Sequence, residues 1–91
     1  MSNEEFYNSL KTKLEDVHSY PTVYMFKFIV PSLGDKVEKV IALFDKDANI
    51  TSRQSSKGKF TSVTVKVVML SSDEIIQKYK EVAKIEGVIM L

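Results

Sequence analysis

The sequence predicts an α+β domain in which a four-stranded antiparallel sheet carries two helices on one face, with a further helix at the N-terminus. Three observations lead there. After residue 20, apolar runs and period-2 alternation trade places with period-3.6 stripes in the order strand, helix, strand, strand, helix, strand. The two middle runs flank a short polar bend, "SSKGK", as the arms of a hairpin do. Right-handed connection of a split βαβ unit then places all four strands in one antiparallel sheet and both helices on the same side of it.

Residues 3–16 set Phe6, Leu10 and Leu14 four apart, with Tyr7 and Val17 alongside, which predicts a short helix with a stripe too narrow for a core helix. Tyr20-Pro21 ends that region, because the residue before proline is pushed out of the helical basin. Residues 22–30, "TVYMFKFIV", are aromatic, β-branched and nearly continuous, as in a central strand. Pro31 and Gly34 close it. Residues 35–46 carry Val37, Val40, Ile41 and Phe44 at helical spacing, with Lys36, Glu38 and Lys39 outside, and "DKDAN" ends the helix. Hairpin arms follow at 50–55 and 60–70, the second alternating Val63, Val65, Val67 and Met69 against Ser62, Thr64 and Lys66.

Ser71 and Glu74 have the spacing of a capping box, ahead of a helix whose stripe is Ile75, Ile76, Tyr79, Val82 and Ala83. Gly87 breaks that helix and "VIML" reads as a short final strand. The βαββαβ order is that of the ferredoxin-like plait, a shape shared by ACT regulatory domains and RNA-recognition domains. Residues 1–19 form the N-terminal helix and linker, and 20–91 the ferredoxin-like domain. Strand parity then assigns the sheet's open face. With Val63, Val65, Val67 and Met69 toward the helices, Phe60, Ser62, Thr64, Lys66 and Val68 point away, joined by Val23, Met25, Lys27 and Ile29.

Ninety-one residues leave room for one core, and 44% hydrophobic with 27% charged residues is ordinary globular composition. Thirteen Lys and Arg against twelve Asp and Glu give a net charge of +1, so any polyanion site must be local. The lack of cysteine removes disulfides, thiolate nucleophiles and zinc knuckles. "MSNEEFYNSL" has acids where a signal peptide needs positive charge, and no run approaches the ~18 apolar residues of a membrane span. A cytoplasmic protein without membrane contact is the expectation.

Catalytic chemistry finds little footing. His18, the single histidine, falls in a predicted solvated loop with no cysteine or serine motif to serve. There is no Gly-x-Ser-x-Gly and no His-x-x-x-His pair, so a non-enzymatic protein with no cofactor and no metal is predicted. Asp45, Asp47 and Asn49 fit the first positions of a calcium loop, but Ile50 stands where glycine is needed and Ser56 where glutamate is needed.

The hairpin is the exception to this blandness. Between Ile50 and Leu70 lie Arg53, Lys57, Lys59 and Lys66 and no acid, a local charge of +4. Gly58 allows backbone N–H groups to face an anion, with the Ser55 and Ser56 hydroxyls as further donors. It is not a nucleotide-binding P-loop, for the glycine and lysine spacing is wrong and no helix follows. Plain turn chemistry also accounts for serine, lysine and glycine at a hairpin tip. "KGKFTSVT" begins like the RNA-recognition signature, but Lys59 and Thr61 occupy its two aromatic positions, leaving no stacking platform for bases. The open face is more apolar than a free surface usually is. Three coverings compete for it: the N-terminal helix, a second subunit, and a ligand or partner protein.

"YPTVYMFKFIV", then "SRQSSKGKFTSVTVKV" after one helix, then "GVIML", resemble the small bacterial YbeD-like proteins over about residues 20–91. Tyr20-Pro21, Lys27, Arg53, Ser55, Lys57, Gly58, Phe60 and Ser62 carry the likeness. The resemblance implies an ACT-like fold and a cytosolic binding or regulatory module without catalytic residues; some members are labelled lipoate regulatory proteins. The reading that follows is a regulatory module for a partner protein or a small anionic metabolite. Arg53, Lys57 and Lys59 supply charge-assisted hydrogen bonds, Gly58 close backbone approach, Lys27 and Lys66 a second cationic pair, and Ser55 and Phe60 complete the set. A homodimer joined through a sheet edge or the open face, and an RNA-associated protein, are the alternatives.

Overall fold

The computed structural model describes residues 3–91, so the first two residues of the predicted N-terminal segment lie outside the described residues. Its elements are α1 (Asn3–Val17), β1 (Thr22–Pro31), α2 (Lys36–Ala42), β2 (Asn49–Gln54), β3 (Phe60–Met69), α3 (Ser72–Ala83) and β4 (Ile89–Met90). The strands form one antiparallel sheet in the order β2-β3-β1-β4, the ferredoxin-like plait with an added N-terminal helix.

Alternation along the two central strands builds the core. Phe26, Phe28 and Val30 of β1 and Val63 and Val65 of β3 are completely buried, and Val40, Phe44, Ile75, Tyr79 and Val82 close over them from the helices. Phe26 sits at the centre, its ring 5.2 Å from those of both Phe44 and Tyr79. Tyr79 and Tyr24 share a hydroxyl hydrogen bond of 2.9 Å at the margin of this cluster.

α2 ends four residues before the predicted limit. Leu43 and Phe44 donate to Val40 and Ile41, three residues back, and this tightening turns Phe44 into the core. The Lys78 ammonium reaches across from α3 to the Leu43 carbonyl, satisfying an acceptor that the helix end leaves free. At the start of α3 the Ser71 hydroxyl accepts from the Glu74 N–H at 3.1 Å, while the Glu74 carboxylate accepts from Leu70 N–H, one residue earlier than a capping box requires. Gly87 has φ +86°, and a Cβ there would stand 3.0 Å from the Pro31 ring, so this turn needs glycine on both counts.

α1 is where expectation and structure part. Its buried stripe is Tyr7, Leu10 and Leu14, with Leu14 only 5% exposed and part of the main core, whereas Phe6 and Val17 face outward. The helix packs beside α3 on the covered side of the sheet. Lys11 pairs with Asp73 at 3.0 Å, the Ser72 hydroxyl donates to Glu15 at 3.0 Å, and Lys80 lies over the Tyr7 ring and 3.5 Å from Glu4. Asp73 hydrogen-bonds the Lys11 ammonium and holds its pKa above the ordinary lysine value. His18 is likewise half-buried, edge-on to Tyr24 with ring centroids 5.7 Å apart, and not the solvated loop residue expected.

Candidate functional site

With α1 on the helix side, the far face of the sheet stays open. Val23, Met25, Val68, Phe60 and Ile89 are each 44–63% exposed there. The strand register orders this face into rows. Val23 stands opposite Val68; Met25, Lys66 and Asn49 form the next row; then Lys27, Thr64 and Thr51; then Ile89, Ile29, Ser62 and Arg53; and Phe60 closes the face beside Pro31. Apolar residues therefore mark both ends, with a hydroxyl-rich cationic band between them.

Charge is partitioned just as sharply. The four strands and the hairpin tip contain five of the thirteen basic residues, namely Lys27, Arg53, Lys57, Lys59 and Lys66, and none of the twelve acids. The eight remaining bases share the rest of the chain with all twelve acids, leaving that part at −4. None of the ion pairs among the described residues involves any of the five. Lys27, Arg53 and Lys66 on the open face thus have no acid within the sheet to offset them, and the local field there is positive.

The predicted site residues do not converge on one spot. Arg53, Ser55 and Phe60 line a groove of about 460 Å³ with Ile29 and Ser62. Lys27 and Lys66 line a second of about 260 Å³ with Met25, Asn49, Thr51 and Thr64, and a third along Thr51, Arg53, Ser62 and Thr64 connects them. Gly58 and Lys59 belong elsewhere, to a depression with Ser32 and Leu33 at the loop after β1. Lys57 stands exposed at the tip.

The hairpin satisfies its own polar groups. Gly58, with φ +72°, donates its N–H to the Ser55 carbonyl at 2.9 Å; Ser55 N–H donates to Phe60 O at 2.8 Å; and the Ser55 hydroxyl accepts from Phe60 N–H at 3.3 Å. Two of the backbone donors of the envisaged anion cradle are therefore engaged in the turn. Thr61 is 5% exposed and faces the helices, hydrogen-bonded to Ser32 at 2.8 Å, so that position of the RNA signature is on the wrong side of the sheet as well as non-aromatic. Phe60 is the aromatic residue the hairpin presents on the open face.

Sequence reasoning missed Asn49 and Thr51, which complete the middle rows, and Ile89, which extends the apolar end. The first two follow from counting back along the hairpin from Ser55 and Phe60. Ile89 has no such local signal, because its place depends on the pairing of a two-residue strand with β1.

The matched part of the chain runs from the end of α1 through the whole plait: a family model described as "Protein of unknown function (DUF493)" matches residues 15–91. The chain belongs to this family. A UPF0250 protein of Shewanella oneidensis is 35% identical over 83 residues, spanning 87% of this chain and 94% of the relative. UPF0250 proteins of Shewanella loihica and Shewanella baltica are 36% and 34% identical over the same shares. The YbeD-like resemblance read from the strands and hairpin is this family relationship. No solved structure matches the chain. No helix of the described residues is long and apolar enough to cross a membrane.

Proposed function

We propose that this member of the DUF493 family is a non-catalytic regulatory module of the cytoplasm that binds an acidic partner protein across the open face of its sheet. The observation that carries this reading is the coincidence, on one face, of Lys27, Arg53 and Lys66 outside every ion pair among the described residues, no acid in any strand, and exposed apolar residues at both ends. Its grooves are broad and shallow, better suited to a protein surface than to the enclosed pocket that buries most of a small ligand. Lys27 and Lys66 anchor carboxylates in the middle of the contact, and Val23, Met25, Val68 and Phe60 supply the area that ions alone do not. A small anionic metabolite is the second reading, favoured by the groove that gathers Arg53, Ser55 and Ser62 beside Phe60.

Titration with poly-L-glutamate, followed by backbone amide shifts, tests the first reading. Shifts at Lys27, Thr64 and Lys66 that fade as salt rises, and that vanish in a Lys27→Glu, Lys66→Glu double variant, are the expected result. Undiminished binding by the double variant, or shifts confined to the helices, sinks it. Saturable binding of phosphate, citrate or lipoate at the Arg53 groove moves the conclusion to the metabolite.

A further inference from the structure

The two edges of the sheet are finished differently. β4 is a two-residue strand, whereas β2 runs for six residues and carries neither proline nor glycine, so most of the devices that blunt an exposed edge are lacking. Five of its six residues are exposed, and Arg53 is its only charge.

In an antiparallel ladder, residue pairs that exchange both backbone hydrogen bonds alternate with pairs that exchange none. Ser55 N–H donates to Phe60 O, marking a bonded pair at the hairpin. Counting back in twos, Arg53 with Ser62, Thr51 with Thr64, and Asn49 with Lys66 are the bonded pairs. The Ser62 hydroxyl donating to the Arg53 carbonyl at 3.3 Å agrees, since it needs that carbonyl turned toward β3. Ile50, Ser52 and Gln54 therefore direct their N–H and C=O groups away from β3. β2 is the last strand on its side, and no backbone bond outside the ladders among the described residues engages 49–54.

We infer that the β2 edge receives an acidic, extended segment of a partner as a fifth strand. The inference rests on the acidic-partner reading for the sign of the ligand, and adds the mode of binding. A second copy of this chain is the poorer occupant: pairing β2 with β2 about a twofold axis sets two acid-free hairpins, each with Arg53, Lys57, Lys59 and Lys66, side by side. An acidic strand gains from the same charges. Position by position, it needs a carboxylate beside Arg53 on the open side and an apolar residue beside Ile50, which is half-buried and packs on the core. Arg53 and Ile50 are three residues apart on opposite faces, so the segment alternates acidic and apolar residues. The mode is β-strand addition, with backbone bonds supplying affinity and alternate side chains specificity.

The probe is a capped peptide of about eight alternating valines and glutamates, enough to span β2 at ~3.4 Å per residue, with an alternating valine–lysine peptide as control. Amide NMR and hydrogen exchange should show shifts and new protection at Ile50, Ser52 and Gln54, with little new protection at Thr51 and Arg53. Ser52→Pro removes an outward N–H without touching the ladder and weakens binding by about tenfold. Arg53→Glu weakens it by about as much and keeps the edge intact, while Ser52→Ala leaves it unchanged. The inference is overturned by unprotected β2 amides at millimolar peptide, by equal binding of Ser52→Pro, by equal binding of the lysine peptide, or by β2 amide shifts that follow the protein's own concentration. Loss of edge binding while poly-L-glutamate still contacts Lys27 and Lys66 refutes the strand addition alone. The converse pattern refutes the open-face reading and leaves the edge.

Discussion

On the helix side of the sheet Phe26, Phe28, Val30, Val63 and Val65 are sealed from solvent, whereas the chain neighbours Met25, Lys27 and Lys66 on the other side stay exposed. The same strands make both faces, one residue step apart. What separates them is the helical layer, which covers one set of side chains and leaves the other in water. Stability is concentrated on the covered face, and the open face is free to hold charges that no core would accept. The comparison teaches that a single antiparallel sheet can build the core on one face and hold exposed charges on the other without compromise between them.

The sharpest way to break this comparison is a matched pair of truncations. Phe26→Ala, at the centre of the aromatic cluster, should cost about 3–5 kcal/mol in urea unfolding, whereas Met25→Ala, its neighbour on the open face, should cost under ~1 kcal/mol. Comparable losses at both positions would mean that something covers the open face in solution. Next in size, Leu14→Ala should cost about 2–4 kcal/mol, because α1 contributes to the same core as the sheet. A loss below ~0.5 kcal/mol would mark α1 as an appendage.

Smallest at neutral pH is the effect of the tyrosine pair. Burial, then the hydrogen bond to Tyr24, raises the Tyr79 pKa far above its ordinary value near 10. The unfolded chain therefore releases this proton first, and the stability it contributes is present below about pH 10 and is lost as pH rises further. Tyr79→Phe should cost about 1 kcal/mol at pH 7 and flatten the alkaline limb of a stability-versus-pH curve measured by denaturant unfolding. An alkaline limb that is unchanged in the variant would place its origin elsewhere, with Tyr20, whose pKa burial also raises, and the Lys11–Asp73 pair, which also weakens as pH rises, as the remaining contributors.

Much of this was legible in the chain. The alternation of Val63, Val65, Val67 and Met69 against Ser62, Thr64 and Lys66 assigned both faces of β3, because a strand's side-chain period is two whatever surrounds it. The absence of acids from 50–70 was equally visible, and the structure widens it to every strand. Less legible was the grouping of the cations. Lys59 is one residue from Phe60 yet belongs to another depression, since parity sends it to the other side, and the Gly58 N–H turns out to be committed to the Ser55 carbonyl.

The sequence by itself determined the βαββαβ order, the two faces of the sheet and the basic hairpin, because these follow from periodicities and turn residues within ten or so positions. Only the tertiary structure decided where α1 goes. A stripe of Tyr7, Leu10 and Leu14 states that apolar surface must be buried, but not against what. In the structure Leu14 joins the main core with Tyr7 and Leu10 packed against it, and Ser72, Asp73 and Lys80, more than fifty residues away in the chain, meet the polar groups of α1 beside α3. That placement leaves the cationic face of the sheet and the free edge of β2 in solvent, and so makes them available for binding.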